Sequence, residues 1–149
     1  MSPLVRHIRY NELPDLLALY RQLHPDDPPV EQDKYLHALW QDIYNDPDLH
    51  YLVIENNGQI VCSCTLAVIK NLTRNLRPYG LIENVITHTD HRNHGYGTAV
   101  LHEAIRIAQE NNCYKIMLLT SSKKEETLSF YEHSGFDRKD KTGFVIYFE

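Results

Sequence analysis

A chain of 149 residues, 42% hydrophobic and 23% charged, suits one soluble globular domain over 1–149 with a core large enough to need no covalent staples. A net charge of −5 without a basic stripe argues against a nucleic-acid partner. No apolar run approaches the ~20 residues of a membrane span, and the opening residues Met1 to Arg6 lack the apolar core of a signal peptide. The expectation is a cytoplasmic protein without membrane contact, its Cys62, Cys64 and Cys113 reduced and used for packing.

Val5 to Arg9 reads as a short strand. Leu13, Leu16, Leu17, Tyr20 and Leu23 then recur at helical spacing, with Asn11 as the expected N-cap and Pro14 early in the helix. Pro25, Pro28 and Pro29 interrupt the chain. A second helix is expected from Gln32 to Tyr44, on the stripe Tyr35, Leu36, Leu39, Trp40 and Ile43. Tyr51 to Ile54 is a strand, Asn56-Asn57-Gly58 a hairpin signal, and Gln59 to Ile69 the return strand. After a loop at Asn71 to Pro78, Tyr79 to His88 forms another strand. A helix follows from Tyr96 to Asn111, with Val100, Leu101, Ala104, Ile105 and Ala108 on one face. Lys115 to Thr120 is expected as a buried strand and Glu125 to His133 as a short helix. Phe136 to Arg138 and Phe144 to Phe148 are expected as the last strands, around a turn at Lys141-Thr142-Gly143. The order is mixed α/β around one largely antiparallel sheet.

The informative stretch is Ile82 to Thr98, where a strand ends, a polar loop follows, and Arg92-Asn93-His94-Gly95-Tyr96-Gly97 opens an amphipathic helix. Glycine permits positive φ and close approach of backbone to a ligand. The first helical turn offers free N–H groups and a positive dipole end, a combination suited to a pyrophosphate. Taken alone, the same six residues also describe an ordinary turn before a surface helix.

The pattern R-x-x-G-x-G between strand and helix resembles the acetyl-CoA pyrophosphate loop of the GNAT acyltransferase superfamily. A second segment, Phe130-Tyr131-Glu132-His133-Ser134-Gly135-Phe136, resembles that family's closing signature. The C-terminal half carries both motifs in order; the N-terminal half agrees only in its succession of elements. Lys124, Thr127 and Thr89 depart from the residues common in the family. Lys124 either meets a phosphate of the cofactor or is simply solvated.

The resemblance implies an α+β (α/β) GNAT domain whose twisted, largely antiparallel mixed sheet is flanked by helices and splayed at its central strands. It implies acetyl-CoA as co-substrate, no metal, and a direct transfer to a primary amine of a small molecule or peptide. Val85, Ile86 and Thr87 would pair with the pantetheine arm. Arg92, Asn93, His94, Gly95, Tyr96, Gly97 and Thr98 would wrap the pyrophosphate, with Gly97 letting the backbone approach it. Ile82-Glu83-Asn84-Val85 and the stretch Cys113 to Thr120 are similar to glucosamine-6-phosphate N-acetyltransferases. That keeps an aminosugar-phosphate acceptor as an alternative, with Arg74 or Arg77 as its anion contact. A non-catalytic acyl-CoA-binding domain is the other alternative, and a homodimer is compatible with the family.

Two residues are expected to carry the chemistry. An alkyl amine with a pKa of ~10.4 is protonated at neutral pH and needs a base. Strand alternation places Glu83 with Leu81 and Val85, so its carboxylate should be partly buried and suited to that task. Pairing with Arg74 or Arg77 is the structural alternative for Glu83. Tyr131 is the expected donor to the departing thiolate, and a packing role beside Phe130 is its alternative. His88, His91 and His94 recur every third residue but lack a completing carboxylate or cysteine, so no metal site is expected from them.

Overall fold

The computed structural model describes residues 3–149. Strand β1 is only Arg6–His7, shorter than the expected Val5 to Arg9. The start of helix α1 (Leu13–Leu23) is not capped by Asn11. A 3₁₀ turn over Tyr10–Glu12 intervenes, and Arg6 holds Glu12 through a two-pronged ion pair of 2.8 and 2.9 Å. Helix α2 (Lys34–Asn45) begins at Asp33, whose carboxylate accepts from the N–H groups of Tyr35 and Leu36.

Strands β2 (Leu49–Asn56) and β3 (Gln59–Ile69) form the expected hairpin. Asn57 and Gly58 both take positive φ at its tip, the backbone that an Asn-Gly turn supplies at little cost. Strand β4 (Tyr79–Thr87) lies antiparallel to β3, and β5 (Ile116–Leu118) lies parallel to β4. The order is β1-β2-β3-β4-β5. Helix α3 (Tyr96–Glu110) makes the crossover between the two parallel strands, and α4 (Glu125–His133) follows β5.

Helices cover both faces. On one, Val100, Leu101, Ala104, Ile107 and Ala108 of α3 pack on Leu52, Ile54, Cys62, Cys64, Leu66 and Ile82. On the other, Leu13, Leu16 and Leu19 of α1 and Trp40 of α2 pack on Val53, Ile60 and Ile86. Burying each such side chain contributes ~1.5–3 kcal/mol. Two expectations fail at the C-terminal end. β5 is half the expected length and only half-buried. Neither Phe136 to Arg138 nor Phe144 to Phe148 forms a strand.

The consequential irregularity lies inside β4. Ser63 pairs with Ile86, but Thr65 pairs with Glu83, so β4 carries one residue more than β3 across that interval. Asn84, at φ 54°, takes up the extra residue as a β-bulge. Asparagine tolerates this left-handed backbone better than most side chains. Past a bulge, the side chains change faces. Ile82 therefore packs under α3, as does Val85, whereas Ile86 packs under α1.

Candidate active site between strands β4 and β5

β4 continues to Thr87, but its pairing with β5 ends at Ile82 opposite Leu118. From Glu83 onward one edge of β4 is open, and the space between the two strands is a slot with peptide groups facing it. Thr87 closes the strand with its hydroxyl 3.3 Å from Cys62 Sγ and its carbonyl accepting from Arg92 Nε at 3.4 Å.

The loop beyond Thr87 leads directly into α3. Asn93 and Gly95 take positive φ, and Gly95 is the N-cap of α3 with open space where a side chain would stand. No side chain caps this helix, so its first-turn N–H groups are left free. Arg92, Asn93, His94 and Gly95 are exposed, and Tyr96, Gly97 and Thr98 half-buried. These features fit a phosphate-binding turn. Gly97 has another reason to be glycine: an added Cβ would stand 2.9 Å from Phe130 Cζ and 3.3 Å from Cε1. Its small size lets α4 close on α3, where the expectation was close approach to phosphate.

Tyr131 sits on α4 on the α3 side of the sheet. Its ring packs on the core beneath α3 and against Phe130 and Phe136, at centroid distances of 5.0 and 6.4 Å. Burial, and secondarily the neighbouring Cys64, raise its phenol above the ordinary tyrosine value, so the hydroxyl keeps its proton at neutral pH. No protein partner for that hydroxyl is found among the described residues.

Glu83 lies on the opposite face, and it is exposed. The bulge removes Val85 from its side, so the expected apolar surroundings and partial burial are not there. Its cross-strand neighbours are instead Thr65 and, one strand further, Tyr51. Nor does Glu83 form an ion pair among the described residues. Arg77 donates to the carbonyl oxygens of Asn112 and Cys113 at 3.1 and 3.0 Å, and Arg74 lies over the Tyr114 ring. Both arginines are at the start of β4. At ~3.3 Å per strand residue, Arg77 is ~20 Å of strand away from Glu83.

Tyr20 from α1 joins the row of Tyr51, Thr65 and Glu83. Burial pushes its phenol up to about 12, with Thr65 and Asn84 close enough to offset part of that shift. Their geometry falls short of hydrogen bonding: the hydroxyls of Tyr20, Ser63 and Thr65 are buried without partners. Orphaned hydroxyls carry a cost unless something else satisfies them. None of these residues was singled out from the sequence. Tyr20 reads there as one more member of an apolar helix stripe, and Thr65 as one position in a hydrophobic strand.

The histidines of the loop do not converge. His88 and His91 meet edge to face at 5.3 Å, His94 stacks on Tyr96, and the His94 Nδ1 is 3.1 Å from the His91 carbonyl. Two concavities among the described residues, of about 100 and 250 Å³, are lined by α1 with His88 and by Trp40 with Tyr51. Neither includes Glu83 or Tyr131, consistent with a site that is an open slot between strands.

Comparison with known proteins shows the family and the fold. The model of the Acetyltransferase (GNAT) family matches residues 16–136. A solved structure of a proposed acetyltransferase from Agrobacterium tumefaciens str. C58 superposes with a TM-score of 0.90 at 40% identity, covering 99% of both chains. The glucosamine 6-phosphate N-acetyltransferase of Trypanosoma brucei brucei is 37% identical over 79 residues, 53% of this chain and 52% of that protein. Human N-alpha-acetyltransferase 30 is 28% identical over 149 residues, 96% of this chain and 38% of that protein. The chain thus spans about half of the first of these curated relatives and well under half of the second. No helix among the described residues is long and apolar enough to cross a membrane.

Proposed function

The chain belongs to the GNAT family of acetyltransferases, and on that footing we propose that it moves an acetyl group from acetyl-CoA directly to a primary amine. The observation that carries this reading is the slot. Glu83 approaches it from the α1 face and Tyr131 from the α3 face, and the uncapped start of α3 lies at the end of the same strand. In this reading the pyrophosphate rests on the turn from Arg92 to Thr98. The pantetheine arm runs along the open edge of β4 at Val85, Ile86 and Thr87.

The chemistry follows from the two faces. The acceptor enters beside Tyr20, Tyr51 and Thr65 as an ammonium, and Glu83 takes its proton directly or through a water. The freed amine attacks the thioester carbonyl, forming the C–N bond and an oxyanion that peptide N–H groups facing the slot stabilise. Collapse breaks the C–S bond and expels the thiolate. Tyr131 hydrogen-bonds the sulfur as charge develops. Complete transfer from a phenol to a thiolate is uphill by at least ~1.5 pKa units. Its help therefore lies at or below the ~10²-fold foot of the general-acid range. No cysteine nucleophile enters: burial pushes the Cys62 and Cys64 thiols up to about 11 and about 12, so neither offers a thiolate at neutral pH.

An aminosugar phosphate held by Arg74 or Arg77 finds no support in their positions, since both are engaged far from Glu83. Release of free thiol from acetyl-CoA, measured across polyamines, aminosugars, their phosphates, aminoglycosides and peptide N-termini, tests the proposal. With the amine that turns over, Glu83→Gln should lower kcat/KM and remove the acidic limb of its pH profile, with acetyl-CoA affinity unchanged. A normal profile with normal turnover removes Glu83 from the mechanism. Acetyl-CoA binding without turnover of any amine would make the chain a binding domain.

A further inference from the structure

Between Thr87 and α3 the chain has little of its own to fix its path. Arg92, Asn93, His94 and Gly95 are exposed, Asn93 and Gly95 hold positive φ, and no side chain caps α3. Exposed backbone of this kind samples many conformations unless contacts from outside select one. The entry to the turn is held from α1, where Gln22 Oε1 accepts from the backbone N–H and the hydroxyl of Thr89 at 2.9 and 2.8 Å. Within the turn itself, Arg92 Nε donates to the Thr87 carbonyl at 3.4 Å, and His94 Nδ1 lies 3.1 Å from the His91 carbonyl.

One side chain from elsewhere reaches both ends of the exposed stretch. Asn56 is the last residue of β2 and is half-buried. Its amide nitrogen donates to the Tyr96 hydroxyl at 3.3 Å and lies 3.5 Å from His91 Nδ1. His91 ends the 3₁₀ turn before Arg92, and Tyr96 is the first residue of α3 after Gly95. Asn56, 35 and 40 residues away in sequence, thus bridges the two residues that flank Arg92 to Gly95. A carboxamide nitrogen has two protons, one for each of these acceptors, and His91 accepts at Nδ1 with its own proton on Nε2. Among the described residues the Asn56 side chain makes no other hydrogen bond. The Tyr96 ring packs against the core beneath α3 and is stacked by His94 at 5.8 Å, so its hydroxyl is a fixed point for the bridge.

We propose that Asn56 is a positioning residue for the cofactor turn. It closes the base of the arc from Arg92 to Gly95 through His91 and Tyr96, and so holds the free N–H groups at the start of α3 ready for the pyrophosphate. The proposal rests on the reading that acetyl-CoA binds at this turn. A turn already closed loses little freedom when phosphate arrives. Without the bridge, the closed turn is one population among several, and apparent affinity falls in proportion to its share. Two hydrogen bonds of ordinary net strength correspond to a roughly five- to thirty-fold change in population. Asn56 bonds to neither Glu83 nor Tyr131, so the transfer step itself is left alone.

The test titrates acetyl-CoA into the full chain by calorimetry and reads backbone hydrogen exchange on the same proteins, free and saturated. Asn56→Ala should raise the Kd roughly five- to thirty-fold. Exchange at residues 92–98 should quicken in the free variant and return to the wild-type rate when acetyl-CoA saturates it. Tyr96→Phe keeps the ring and should weaken binding less, and adding Asn56→Ala to it should cost less than in the wild-type background. With an amine that turns over, Asn56→Ala should raise the KM for acetyl-CoA and leave kcat at saturation unchanged. Wild-type affinity in Asn56→Ala, with or without a lower melting temperature, would make Asn56 a residue of the fold only and overturn the proposal. An equal cost in both backgrounds would overturn the route through Tyr96, and the proposal with it. A wild type that binds no acetyl-CoA, or binds it without slowing exchange at 92–98, is a different failure: it removes the cofactor from this turn before Asn56 is altered. Should Asn56→Ala fail to fold, Tyr96→Phe carries the same comparison of affinity and exchange.

Discussion

Adding one methyl group at Gly97 should disturb catalysis through Phe130. The new Cβ would lie 2.9 Å from Phe130 Cζ, against ~3.6 Å for an ordinary carbon contact. The ring must therefore retreat by roughly 0.7 Å, or α3 must shift by as much. Phe130 is packed against the core under α3 and against Tyr131, so α4 moves and the Tyr131 hydroxyl moves with it. Overpacking costs ~1–3 kcal/mol. Alanine returns up to ~1 kcal/mol over glycine in a helix. The net loss for Gly97→Ala is thus ~0–2 kcal/mol, and the melting temperature should fall by ~2–4 °C per kcal/mol. A displacement of this size can lower kcat by up to ~10²-fold. The assay is a double-mutant cycle with Phe130→Leu, reading thermal unfolding and acetyl-CoA turnover for all four proteins. In the Phe130→Leu background the added methyl has room, so Gly97→Ala should cost little there. An equal effect in both backgrounds would refute the contact as the cause. It would return Gly97 to a role against the cofactor, especially if acetyl-CoA affinity fell while stability held.

Tyr131→Phe should lower kcat by ~10- to 100-fold where chemistry limits the rate. Its hydroxyl has no protein partner among the described residues, so the melting temperature should stay near wild type; the reverse pattern would assign the hydroxyl to folding. The Arg6 guanidinium, followed by the backbone N–H of Arg9, holds the Glu12 carboxyl below the usual carboxylate range against the opposing effect of burial. With its folded value below the unfolded ~4.3, Glu12 stabilises the fold above that pH and loses the contribution as pH falls through the folded value. Glu12→Gln should cost ~1–2 kcal/mol at pH 7 by urea unfolding and flatten the stability curve below pH ~4.3. An unchanged acid limb would exclude this pair as its source.

The elements that local chemistry specifies were legible in the sequence. Helices α1, α2, α3 and α4 follow from apolar spacing, and the β2–β3 hairpin from Asn57-Gly58. The start of α1 was misread because Glu12, held by Arg6 from β1, replaces the local cap expected from Asn11. Phe144 to Phe148 has the composition of a strand, yet composition does not supply a neighbour. Strand pairing is non-local, and among the described residues no strand pairs with this segment. At the site, Glu83 and Tyr131 were named from motifs, but the surroundings of Glu83 were inferred from strict alternation. A bulge shifts every later side chain by one position, and no residue pattern around Asn84 announces it. Tyr20, Tyr51 and Thr65 become one row only when α1 and the registers of β2, β3 and β4 are known.

Asn84 then explains why one strand serves two faces. Were Asn84 an ordinary position in strict alternation, Val85 would stay on the face of Glu83, and Ile86 would turn with Ile82 toward α3. The α1 core would lose Ile86, and an apolar side chain would sit beside the carboxylate proposed as base. With the bulge, the strand keeps an apolar residue under each helix layer, Val85 below α3 and Ile86 below α1. Glu83 is left among hydroxyls at the point where β5 ends. The twist and bend that a bulge adds also carry β4 away from β5, which opens the slot where pairing stops, between Ile82 and Glu83. In the proposed reading, the conformation that leaves Glu83 exposed is therefore also the one that opens the slot for the thioester. Both depend on a single residue able to hold a φ of 54°.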